Sequence, residues 1–495
     1  RYAIEHDYMD TSFRSMYLGL SAFLSANKDR RDLLLSQRQP EFDVSFDPRI
    51  AIAPDDFSRI TLKAQAAKDY FLLVGPPGTG KTSRALRGMV EAFYREGKQI
   101  LLLSYTNRAV DEICKTLSVI TPEIDFIRIG SELSCDPSFR SRLIENVLEA
   151  CSTRREVHAC IEGCRVFVGT VATFSSKTDM FRLKTFDVAI VDEATQILEP
   201  QLLGLLCARD VAGNNAIGKF ILIGDHKQLP AVVLQSESQS EVCEECLQSI
   251  GLYNLKDSLF ERLYRTVSAN HSSPTTQRFY DMLCRQGRMN VEVARFPNHA
   301  FYGGLLEPVG LQHQQGELTL APGLENDEFA DILVRRVVFL ASVPEVASQS
   351  AKINHSEAQL VARLAAAIYR QYDGSSGFRP ALTLGIITPY RSQIALIKSE
   401  IAALGIPCLN DILVDTVERF QGSERDVIIY SFCVNRTYQL KFLANLTEEG
   451  GVWIDRKLNV ALTRARKQLF MTGVPHLLRQ NPILSLIHIS EPTRH

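Results

Sequence analysis

The residues Gly75-Pro-Pro-Gly-Thr-Gly-Lys-Thr82, set directly after the apolar run Phe71-Leu-Leu-Val74, constrain this chain more than any other stretch. They fit G-x-x-x-x-G-K-[ST], and residues 83–96 place Leu86, Met89, Val90 and Phe93 on one face at helical spacing. Strand, glycine loop and helix in that order make a phosphate-binding loop, whose backbone N–H groups and positive helix end cradle phosphates. Gly75, Pro76, Pro77, Gly78, Thr79, Gly80, Lys81 and Thr82 are the residues of that cradle. Lys81 is suited to the β and γ phosphates of ATP, and the Thr82 hydroxyl to Mg²⁺.

A second element bears on what the nucleotide is for. Phe186-Asp-Val-Ala-Ile-Val191 reads as a buried strand and delivers Asp192 and Glu193 at its carboxyl end, where open α/β sheets place ligands. Asp192 suits the Mg²⁺ shell, and Glu193 suits orienting and deprotonating an attacking water. A further strand, Lys219-Phe-Ile-Leu-Ile223, ends in Gly224-Asp-His-Lys-Gln-Leu-Pro230.

Composition sets bounds. A length of 495 residues allows more than one sizeable core. With 55 Lys+Arg against 57 Asp+Glu, any nucleic-acid grip must come from a local basic track. No apolar run is long enough to span a bilayer, and the eleven cysteines are scattered, so a reduced, cytoplasmic setting is expected. Cys151, His158, Cys160 and Cys164, and the separate pair Cys243 and Cys246, lack the paired four-ligand clusters of structural zinc.

The fold class expected is α/β, with two tandem domains built on parallel sheets. The first spans 57–266, with a polar, charge-rich helical insertion at 111–165, and the second spans 267–480. In the second, Arg335-Arg-Val-Val-Phe-Leu-Ala341, Leu384-Gly-Ile-Ile387 and Val427-Ile-Ile-Tyr430 read as strands, and Asn354 with Glu357 as a box-like cap of a following helix. Residues 1–56 are expected to be the remnant of a truncated upstream region. Leu484-Ser-Leu-Ile-His-Ile-Ser-Glu-Pro-Thr-Arg494 resembles a translated sequencing adapter, so 481–495 are expected to be an extraneous tail.

From about Phe71 to about Leu478 the chain resembles the superfamily 1B helicases of the nonsense-mediated-decay and replication-helicase type, in a bacterial-looking version. The resemblance rests on Ser104-Tyr-Thr-Asn-Arg-Ala-Val-Asp111, Val168-Gly-Thr-Val-Ala-Thr173, Asp192-Glu-Ala-Thr-Gln196, Gly224-Asp-His-Lys-Gln-Leu-Pro230, Ile387-Thr-Pro-Tyr390, Arg419-Phe-Gln-Gly-Ser-Glu424 and Leu458-Asn-Val-Ala-Leu-Thr-Arg-Ala-Arg466. It implies two RecA-like domains and ATP-driven 5′-to-3′ movement on a single strand. It also implies roles: Arg464 as arginine finger, Arg288 as a second phosphate contact, Gln228 as a γ-phosphate sensor and Glu424 as a ribose contact. With both arginines on one half and the loop on the other, phosphate state would be converted into relative motion.

Thr106, Asn107, Thr170, Thr173, Thr416 and Gln421 match positions that touch the nucleic-acid backbone in that family, and Pro389 and Tyr390 offer a stacking surface. DNA is favoured over RNA as the strand; which protein partners bind is left open. Arg466 and Lys467 read as surface charges on the helix that carries Arg464. Two departures imply loose base selectivity: Gly287 stands where the family has an adenine-stacking aromatic, and Phe57 where it has an adenine-reading glutamine. Two other readings stay open, an ATP-gated clamp or remodeller without processive unwinding and a P-loop enzyme with a small-molecule substrate.

Overall fold

The structure is a computed structural model that describes residues 11–233, 235, 237–269, 276–345, 350–375, 377–449 and 451–489. The chain forms two compact units. The first comprises Arg1–Pro76, Gly80–His226 and Pro230–Leu283; the second comprises Pro77–Thr79, Lys227–Leu229 and Cys284–His495.

The first unit is built on β1 (Tyr70–Val74), β2 (Ile100–Ser104), β3 (Phe126–Ile129), β4 (Val166–Thr170), β5 (Phe186–Val191), β6 (Ile217–Gly224) and β7 (Tyr280–Met282). Their spatial order is β3-β4-β2-β5-β6-β1-β7, and every pairing is parallel. The unbroken apolar runs follow from burial on both faces. In β1, Tyr70, Leu72 and Val74 enter one core layer, while Phe71 and Leu73 enter the layer on the other side of the sheet.

Two expectations for this half need correction. The segment 111–165 is not wholly helical, because Phe126–Ile129 is a fully buried edge strand paired with β4. The unit also runs past 266 to Leu283, since Tyr280–Met282 pairs with Leu72–Val74 of β1. Residues 11–56 pack onto the same unit: the buried Arg30 donates to the Ile217 and Gly218 carbonyls, and Arg262 Nη2 to Leu34 O at 2.6 Å.

The second unit holds β8 (Val337–Ala341), β9 (Leu384–Ile387), β10 (Leu413–Asp415), β11 (Arg425–Ser431) and β12 (Ala465–Gly473), in the all-parallel order β8-β12-β11-β9-β10. The alanine-rich face of helix His355–Asp373 packs on this sheet through Ala358, Val361, Ala362 and Ala365. Asn354 caps that helix by accepting from Glu357 N at 2.9 Å. The Glu357 carboxylate turns inward, however, and accepts from the Ser342, Ser431 and Thr472 hydroxyls and from Cys433 N. Pro482–Ile489, within the expected tail, is helical, with Ile483 and Leu484 buried; 490–495 and the first ten residues lie outside the described set.

Candidate functional site

In a parallel sheet every strand ends on the same edge, so residues that follow neighbouring strands are brought together. In the first unit β5, β6 and β1 are adjacent, and the groups after β1 and β5 meet. Lys81 Nζ donates to Glu193 Oε1 at 2.5 Å, and Thr82 Oγ1 to Asp192 Oδ2 at 2.6 Å. Gln196 Nε2 donates to the other Glu193 oxygen at 2.9 Å, a partner that the sequence signals only by its i+3 spacing. Asp192 is buried, its N–H bonded to Leu103 O and its Oδ1 accepting from Glu193 N. Glu193 itself has a left-handed backbone, with φ of 55°.

The loop glycines have specific reasons. Gly80, φ 81°, turns the chain into the helix beginning at Lys81, and a Cβ on Gly78, φ 73°, would lie 2.4 Å from Arg288 Cβ.

Charge in this cluster is under-compensated. Burial pushes the Asp192 carboxyl above its ordinary value, against the pull of Lys81. Burial works against the Lys81 ammonium too, but Glu193 and Asp192 prevail and hold its pKa above the usual lysine value. A buried carboxylate beside a hydroxyl oxygen is the hard-oxygen donor pair that suits Mg²⁺. Thr82 and Asp192 are thus the residues that would hold the ion, and it would supply neutralisation of phosphate charge.

In the second unit, which includes Lys227–Leu229, the buried Arg464 donates through Nη2 to Gln228 Oε1 at 2.9 Å and through Nε to Val460 O at 3.0 Å. Arg288 Nε donates to Glu424 Oε2 at 2.6 Å and Nη1 to Thr463 O at 3.3 Å. Burial alone would raise the Glu424 carboxyl, yet Arg288 and then Arg466 hold it below the usual range. Arg466 and Lys467 lie on β12 and not on a helix, which ends at Leu462; both pair with Asp426.

The candidate strand contacts form two groups, each at a sheet edge. Thr106 and Asn107 follow β2, and Thr170 ends the adjacent β4, with Ser104 in register with Thr170. The Thr106 and Thr170 oxygens cap helices, accepting from Ala109 N and Thr173 N, and the Thr170 and Thr173 hydroxyls lie 2.7 Å apart. In the second unit Pro389 and Tyr390 come just after β9 and Thr416 after β10, with Thr388 N donating to Asp415 O; Gln421 follows the short helix Val417–Phe420. Tyr390 has a partner the sequence did not signal: its hydroxyl accepts from Gln439 Nε2 at 3.1 Å. Among the described residues, no group of three or more His, Cys, Asp or Glu is placed to hold a metal, and no helix is long and apolar enough to cross a membrane.

Both units match family models described as an AAA domain, one at residues 55–159 and 140–236 and another at 255–476. Together these matches extend over residues 55–236 and 255–476, so both units carry AAA-domain sequence. The DNA replication ATP-dependent helicase/nuclease JHS1 of Arabidopsis thaliana is 29% identical over 98% of this chain and 34% of its own length. The corresponding DNA2 protein of Xenopus laevis is 32% identical over 85% of this chain and 37% of its own. The chain thus spans little more than a third of these relatives. The arterivirus nonstructural protein 10 helicase, solved with DNA, aligns with a TM-score of 0.38 at 13% identity, over 84% of this chain and 62% of that one.

Proposed function

We propose that this chain is an ATP-hydrolysing motor that moves along a single nucleic-acid strand and separates duplexes. The observation that carries the reading is the pairing of Lys81 with Glu193 and Thr82 with Asp192 at the ends of β1 and β5. An ammonium and a hydroxyl held by two acids form a site ready to exchange those partners for phosphate oxygens. When Lys81 turns to the β and γ phosphates, Glu193 is released; steadied by Gln196, it orients a water and takes its proton. Arg464 and Arg288 supply positive charge for the departing phosphate, with Gln228 reporting its presence to Arg464. Glu424 contacts the ribose.

Thr106, Asn107, Thr170, Thr173, Pro389, Tyr390, Thr416 and Gln421 hold the strand through its backbone and one stacked base. The finer assignment is the 1B branch in a bacterial version, with 5′-to-3′ movement on DNA in a reduced cytoplasm. The DNA replication names of the relatives support DNA as the strand, and eleven free cysteines support a reduced setting. The test is ATP turnover with and without single-stranded DNA, followed by unwinding of duplexes tailed at either end. Stimulated turnover with separation of 5′-tailed duplexes is expected. Turnover indifferent to any strand would overturn the motor reading, and stimulation without strand separation would favour a clamp.

A further inference from the structure

Beyond Tyr390 the second unit presents a surface that the motor reading does not use. After β11 the chain passes through Cys433, bonded to Glu357, into Asn435 and the turn Thr437–Gln439, and then into the helix Leu440–Leu443. Its underside is fixed. The buried Asn435 donates to the Ala351 and Ile353 carbonyls, and the buried Gln439 accepts from Asn435 N and Arg436 N while donating to Ala351 O and to the Tyr390 hydroxyl. Leu440 and Leu443 are buried beneath it.

The outer side carries Arg436, Tyr438, Lys441 and Phe442, all exposed, with Tyr438 at 53% and Phe442 at 68% of full accessibility. The two rings are four residues apart, one on the turn Thr437–Gln439 and one on the helix that follows it. Neither Arg436 nor Lys441 has an ion-pair partner among the described residues. Rings held out to solvent on a pinned support, interleaved with unneutralised cations, match the chemistry of a single strand, whose bases stack and whose phosphates are anionic. Gln439, beneath this face, also donates to the Tyr390 hydroxyl, so the two elements share one buried support.

We infer that Arg436, Tyr438, Lys441 and Phe442 form a second stacking platform that takes further nucleotides of the single-stranded DNA held at Tyr390. The inference rests on the proposed strand-binding function.

The experiment measures anisotropy of labelled oligo-dT, one probe just long enough for the Tyr390 region and one several nucleotides longer, on wild type and on the Tyr438→Ala/Phe442→Ala double variant. Thermal midpoints serve as the check on folding. The double variant is expected to bind the long probe at least tenfold more weakly, since each lost stack is worth roughly 5- to 140-fold, while the short probe binds as before. Arg436→Gln/Lys441→Gln should flatten the slope of log affinity against log salt by ~1.4, about 0.7 for each lost phosphate contact. Equal affinity of wild type and double variant for both probes overturns the platform alone. A wild type that binds neither probe overturns the motor reading and the platform together. Loss in the double variant of binding to a poly-glutamate peptide, with DNA affinity unchanged, assigns the face to an acidic protein partner and overturns the platform.

Discussion

At the carboxyl edge of the first sheet, Asp192 and Glu193 are held by Thr82 and Lys81, side chains that phosphate oxygens can take over. At the carboxyl edge of the second, Glu357 lies fully buried beneath the ends of β8, β11 and β12, where three hydroxyls and one N–H occupy its two oxygens. Both edges bury acids, but only the first acids are matched to mobile donors of a kind that a ligand can replace. The second acid is consumed in joining three strand ends to a helix start. The same parallel architecture thus yields a candidate reactive edge where a glycine loop brings a lysine and a structural edge where serines and threonines close the shell.

The largest effect that could break this contrast is at Lys81. Lys81→Ala removes the charge that partners the Glu193 carboxylate and that we propose meets phosphate, and steady-state ATP turnover should be abolished. Near-normal turnover would end the assignment of the loop. Glu193→Gln should lower turnover by ~10²–10⁴-fold while calorimetry still detects ATP, because the groups that hold phosphate remain. Loss of ATP binding there would contradict the division of labour between Asp192 and Glu193. Arg464→Ala should lower turnover by ~10²-fold or more with little change in ATP affinity, and Arg464→Lys should rescue poorly, lacking the planar fork. An unchanged rate would remove Arg464 from the chemistry.

The smallest effect should come from the structural edge. Glu357→Gln is expected to lower unfolding free energy by ~1–3 kcal/mol, read by denaturant titration, while turnover at low temperature stays near wild type. Burial, opposed by its four donors, holds the Glu357 carboxyl above the usual carboxylate value in the folded state. Its contribution to stability is therefore fully present below the unfolded value and is lost as pH rises through the folded one. The deficit of Glu357→Gln relative to wild type should then shrink with rising pH. A growing deficit would mean that the ionised form is the stabilised one.

Much of this was readable from local pattern. Phe71–Val74, Phe186–Val191 and Leu384–Ile387 are strands because runs this short and apolar must be buried on both faces, and the loop residues follow from the required turn. What escaped depends on contacts distant in sequence. Phe126–Ile129 is only four residues long inside a charged stretch, and Tyr280–Met282 is half exposed, so neither carries a strand signal without its neighbours β4 and β1. Asn354 with Glu357 showed the helix start but not the fate of the carboxylate, which is decided by Ser342, Ser431 and Thr472. In the candidate site, the meeting of Lys81 with Glu193 and of Thr82 with Asp192 was legible because each pair follows the end of a strand in one parallel sheet. The bonds of Arg464 to Gln228, Arg288 to Glu424 and Gln439 to Tyr390 join segments that sequence alone cannot bring together.

The left-handed backbone at Glu193 filters which residues that position can accept, apart from any reaction chemistry. Branched side chains are excluded by the φ of 55° before their polarity is considered. Glycine and asparagine fit the backbone but carry no charge for Lys81. Aspartate fits both requirements and is one methylene shorter, which opens the 2.5 Å contact. A saturation library at this codon should therefore be steeply one-sided, with glutamate nearly alone among active members and with glycine, not glutamine, the most stably folded of the inactive ones.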